Sequence, residues 1–193
     1  MRLEKVDLEK NVDDETFNKS IEPLRERLSV LQRAIRDKKI PAIIVIEGWN
    51  AAGITMITHE IVQSLDPRGF ILHAIGKPND EERERPFMWR FWIRLLPRGR
   101  MALFARSWYS RAISAEMQSP TWSKSFTGRI PQINNFERQL SDDGAIILKF
   151  FLHIDKAEQK RRLEERERNP LTAWLVTPDI WDIHKRYDES LAF

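Results

Sequence analysis

The sequence predicts an α/β fold, a parallel sheet covered by helices on both faces. Two observations carry this. Short β-branched runs alternate with longer stretches of helical periodicity, and a glycine-containing loop follows directly on the first of those runs. Length supports it: 193 residues with 41% hydrophobic content, seven Trp and ten Phe suffice for one packed domain and are too few for two ordinary ones.

In order, Phe17, Ile21, Leu24, Leu28, Leu31 and Ile35 recur at steps of four and three, an apolar stripe on a helix that Ser20 and Pro23 help to start. Residues 40–46, IPAIIVI, read as a strand buried on both faces. ITMITHEIVQSL then reads as a helix, LDPRG as a turn and FILHAIG as a second strand, completing a βαβ unit. Residues 80–96 read as helical, MALFA (101–105) as a third strand and residues 145–154 as a fourth. Asp155 with Glu158 caps a highly charged helix to about Arg168, and Thr177-Pro178 opens the last one. No repeat, low-complexity tract or linker divides the chain. Ligands are expected at the carboxyl ends of the strands.

Composition excludes several classes. With no cysteine there is no disulfide framework and no thiolate metal site, which fits a reducing, cytoplasmic setting. No run of about 18 apolar residues predicts a membrane span, and MRLEKVDLEK is too polar for a signal peptide. A net charge of +3 from clustered bases points to local anion contacts and not to nucleic acid. The four histidines, His59, His73, His153 and His184, show no ligand spacing. The aromatic stripe at 87–92 fits core or subunit contact better than base stacking, and Asp142-Asp143-Gly144 is ordinary turn chemistry.

The loop GWNAAGITM carries the chemistry. Gly48 and Gly53 match the glycines of G-x-x-x-x-G, and Thr55 falls on the hydroxyl position of a phosphate-binding loop. Ile54 stands where the lysine belongs and offers phosphate neither charge nor hydrogen bond. Backbone amides and the helix N-terminus still favour an anion. The plainer reading, a glycine-containing strand-to-helix turn without ligand, stays open on this loop alone.

With its neighbours the sequence resembles the polyphosphate kinase 2 family, whose members phosphorylate nucleotides from inorganic polyphosphate. The family loop is approximately E-G-x-D-A-A-G-K-G-G, against EGWNAAGITM, and the following LDPRGF matches as it stands. The second motif is approximately F-D-R-S-W-Y-N-R, against FARSWYSR at 104–111, and INNFERQLSDDGAIILKFFLHIDKAEQKRRL echoes a later segment. The resemblance runs from about residue 20 to the end. It implies a P-loop kinase-like three-layer sandwich: one domain over 1–193, with an N-terminal helical segment (1–39) and a helical lid at about 155–180. Family domains usually continue into another strand and helix, so a C-terminally truncated fragment is one reading of this chain.

Against the family pattern, Asn50 replaces the loop aspartate, Ile54 the lysine, and Ala105 the Walker-B aspartate that holds magnesium. The family uses Mg²⁺; with these positions changed, no catalytic residue, metal ligand or cofactor is expected here. Arg106 and Arg111 match arginines that the family turns toward phosphate, and Lys149, Arg161, Arg162 and Arg166 match basic positions of the strand and lid. Glutamates interleaved among Arg161–Arg168 favour a solvated helix face for that run. The resemblance further implies the inactive N-terminal copy of two-copy polyphosphate:AMP phosphotransferases. Such a domain would scaffold an active copy, or pair with itself, and bind phosphate chains or nucleotide; an active phosphotransferase is the alternative.

Overall fold

The computed structural model describes residues 3–110, 112 and 122–191. Helix α1 (Asp14–Asp37) starts about a turn and a half ahead of Ser20, because the Asp13 carboxylate accepts from the Thr16 N–H at 2.8 Å. That cap satisfies a donor the helix end leaves orphaned, and the helix runs on through Pro23. Only half of its stripe is covered: Leu28 and Ile35 meet the sheet, whereas Phe17, Leu24 and Leu31 remain exposed.

The strands are β1 (Ala42–Gly48), β2 (Phe70–Ala74), β3 (Met101–Ala105) and β4 (Ile146–Leu152). They pair in parallel in the order β2-β3-β1-β4, as the alternation of strands and helices requires. Helix α2 (Ile54–Gln63) crosses from β1 toward β2. Residues 80–96 form no single helix. Pro86 denies the chain a backbone donor, and two short pieces result, α3 (Asp80–Arg83) and α4 (Trp89–Trp92). Helix α5 (Trp122–Asp142) precedes β4. Helices α6 (Lys156–Arg168), α7 (Pro178–Lys185) and α8 (Tyr187–Leu191) complete the described chain.

Strand β1 alternates between two cores. Ile43 and Val45 join Ala102, Phe104, Phe91, Trp108, Ile133 and Phe136 on one face. On the other, Ala42, Ile44 and Ile46 join Met101, Leu103 and Leu65 under α1 and α2. Burying an aliphatic side chain of this size contributes about 1.5–3 kcal/mol, so these central residues fix the register. Strand β4 differs. It is an edge among the described residues, and Ile146, Leu148, Phe150 and Phe151 are all more than a third exposed.

Candidate phosphate-binding site

Connections leave the carboxyl ends of β1 and β3 in opposite directions, to β2 and to β4, and open a crevice between these adjacent strands. The loop 49–53 fills one lip and Arg106 the other. Gly48 serves the sheet: a Cβ there would stand 2.6 Å from the Leu152 carbonyl oxygen. Gly53 serves the loop. Its φ of 107° suits glycine, and a Cβ would meet nothing within 4 Å, so the space before α2 is open. Ala51 and Arg106 also have left-handed backbones, at φ of 63° and 65°. Each costs on the order of 1–2 kcal/mol for an L-residue and persists because its surroundings dictate it.

Arg106 is so dictated. Its N–H donates to the Ile46 carbonyl at 2.9 Å, and next to it the Ser107 hydroxyl donates to buried Glu47 at 2.7 Å. Glu47 also accepts from the N–H and hydroxyl of Ser110, tying the segment after β3 to the end of β1. The Arg106 guanidinium donates to Asn50 Oδ1 at 2.6 Å. Burial lowers the Arg106 pKa and the charge of Glu47 opposes that shift; among the described residues no carboxylate pairs with the guanidinium directly. A cation therefore stands at the lip of the cradle with a neutral partner.

Helix α6 docks on the same loop. Gln159, buried on α6, donates to the Asn50 carbonyl at 3.1 Å, while its Oε1 lies 2.7 Å from His184 Nδ1. From the other side, Trp49 Nε1–H donates to His153 Nδ1 at 2.8 Å, and its ring lies 4.6 Å from that of Tyr187. Arg162 is held by Glu158 at 2.6 Å and reaches toward the Ala51 carbonyl at 3.4 Å. Arg166 makes no hydrogen bond or ion pair through its guanidinium with any described residue.

Of the residues singled out in the sequence, the structure gathers Gly48, Asn50, Gly53, Ala105, Arg106 and Arg162 around the crevice. Thr55 is exposed on the first turn of α2, and the Ile54 side chain packs on the core beneath it. Lys149 is engaged elsewhere. It shares the register of Val45, and its ammonium meets Glu137 at 2.8 Å and the Tyr109 hydroxyl at 3.0 Å. Arg111 lies outside the described residues. Sequence reasoning missed Glu47 and Gln159, although an acid ending an apolar strand was a signal for the first.

A magnesium ion does not suit this donor set. Such an ion asks for one or two carboxylates in near-octahedral geometry. The Glu47 carboxylate already serves Ser107 and Ser110, Asn50 Oδ1 is occupied by Arg106, and Ala105 offers no side-chain donor. Among the described residues no group of three or more His, Cys, Asp or Glu could hold a metal, and no helix is long and apolar enough to cross a membrane. A cleft of about 340 Å³ opens at the opposite, amino-terminal end of the strands, between Pro41, Trp92, Leu96 and Leu140. Its Arg98 is paired with Asp143, and it is remote from the chemistry just described.

A glycine loop between the first strand and its helix, at the switch point of a parallel sheet, defines a P-loop kinase-like α/β protein. The chain belongs to the polyphosphate kinase 2 family: the family profile "Polyphosphate kinase 2 (PPK2)" matches residues 11–191. The polyphosphate:AMP phosphotransferase of Pseudomonas aeruginosa is 33% identical over 192 residues, 99% of this chain and 39% of that protein. The AMP/ADP-polyphosphate phosphotransferase of Meiothermus ruber is 30% identical over 174 residues, 86% of this chain and 64% of that one. A crystal structure of polyphosphate kinase 2 from Pseudomonas aeruginosa superposes with a TM-score of 0.92 at 32% identity, covering 98% of this chain and 41% of that one. The chain thus spans about two fifths of the first relatives it matches.

Proposed function

We propose that this domain binds phosphate chains and does not transfer a phosphoryl group, serving as partner to an active domain of its own kind. The carrying observation is the hydrogen bond from Arg106 to Asn50. At the position where the family has an acid, the loop presents an amide, and that amide is turned to a guanidinium. Phosphoryl transfer rests on positioning and charge neutralisation, and each preorganised group lost costs about 10²- to 10³-fold. The changes at Asn50, Ile54 and Ala105 compound that loss. What remains favours anion binding: the open cradle before α2, the Arg106 guanidinium and Arg166, whose guanidinium pairs with no described residue.

An active polyphosphate:AMP or ADP phosphotransferase is the second reading, favoured by the names of the relatives. One assay separates the two. Purified chain is incubated with AMP, polyphosphate and Mg²⁺, and ADP is followed by chromatography. The proposal expects no ADP above the protein-free control; formation that a chelator abolishes overturns it. The cytoplasm is the expected setting, and an active copy of the domain or a second copy of this chain is the expected partner.

A further inference from the structure

Resting on the phosphate-binding reading above, we infer that the cradle takes its phosphate chain without a divalent cation, the Arg106 guanidinium supplying the positive charge that the metal would otherwise bring.

Charge comes first. Relative to the family pattern, the loop and strand ends lose two acids, at positions 50 and 105, and one base, at position 54. The crevice is therefore one unit more positive than the pattern from which it departs. A metal-dependent site is built the other way, since its acids need the ion before an anion can approach them.

Geometry agrees. Arg106 lies against the loop, 2.6 Å from the side-chain oxygen of Asn50, and its left-handed backbone is pinned by the Ile46 carbonyl. The carboxylate whose charge acts on Arg106, Glu47, has both oxygens engaged by Ser107 and Ser110 and makes no direct pair with the guanidinium. A guanidinium with one neutral acceptor retains donors for phosphate oxygens, which it can meet in pairs. Beyond it, Arg162 reaches the Ala51 carbonyl and Arg166 follows one turn along the lid, so a chain longer than one phosphate finds further cations on α6.

Metal and phosphate chain therefore do not cooperate here. Magnesium in solution coordinates polyphosphate oxygens, and among the described residues this cradle has no uncommitted acid to receive the resulting complex.

The test titrates the intact chain with tripolyphosphate and with a long-chain polyphosphate by calorimetry, in EDTA and in excess Mg²⁺. Binding in EDTA that Mg²⁺ leaves unchanged or weakens a few-fold is expected. Arg106→Gln should lose about tenfold in affinity or more, with its circular dichroism unchanged. Asn50→Asp would pair with Arg106 and should weaken metal-free binding several-fold, which a folding defect would not do selectively for the EDTA arm. Binding that appears only with Mg²⁺ overturns the inference and leaves phosphate binding standing. An absence of binding in both buffers overturns both.

Discussion

Trp49, the first residue of the loop, and His153, just past the end of β4, are joined by a 2.8 Å hydrogen bond in which the indole N–H donates to Nδ1. That bond requires the ring nitrogen to be unprotonated. Burial lowers the His153 pKa below 6.5, with Asp155 opposing, so the folded state binds the proton less readily than the unfolded one. This contribution to stability is intact above about pH 6.5 and is lost as the pH falls through the lowered folded value. The melting temperature should fall on acidification below pH 6.5, and less so in His153→Gln. Equal slopes for the two proteins would refute this link.

Gln159 ties α6 to the loop and to His184. Gln159→Leu removes its two side-chain partnerships, leaving the Asn50 carbonyl and His184 Nδ1 unsatisfied in a buried place. A loss of about 1–3 kcal/mol is expected in denaturant melts. Protease cleavage within α6 or the loop should quicken accordingly.

The Ile54 side chain covers the core formed by Ile44, Ile46 and Leu103. Ile54→Lys alone should destabilise the fold by about 1–2 kcal/mol and yield no ADP from AMP and polyphosphate. On the proposed reading, turnover is expected only when Asn50→Asp and Ala105→Asp are added as well. Turnover by the single variant would show that the two acids are dispensable.

Glu158 is pulled down to a pKa of about 2 by hydrogen bonds from Arg161 and Arg162. It is fully ionised at neutral pH and holds both guanidinium groups to the lid helix. Glu158→Gln should release them and raise polyphosphate affinity two- to five-fold at low salt, with the gain fading near 0.5 M as screening shortens the reach of surface charge to about 4–5 Å. An affinity that stays the same would mean that the lid arginines take no part.

The fold was legible where local signals agree. MALFA forms β3 without adjustment, and Asp155 caps α6 because a short acid beside three free amides has one favoured use. Legibility failed at residues 80–96, where aromatic spacing mimics a helix and Pro86 forbids one. It failed again at Lys149. Its fate depends on Glu137, which lies close in space only because α5 packs beside β4. In the site, the sequence singled out positions 50, 54 and 105 as expected departures from the family pattern, and the structure places Asn50 and Ala105 at the crevice and Ile54 on the core. The Arg106–Asn50 bond that gives them meaning joins the ends of two different strands, and no local pattern records it.

Among the described residues, strand β4 leaves its seven-residue outer backbone rim unpaired, with large apolar side chains bared on both of its faces. Such a rim is a template for strand addition by any chain that presents a similar one. Expressed by itself at high concentration, this polypeptide should form sheet-extended aggregates that bind thioflavin, and a lysine in place of Leu148 should keep it in solution.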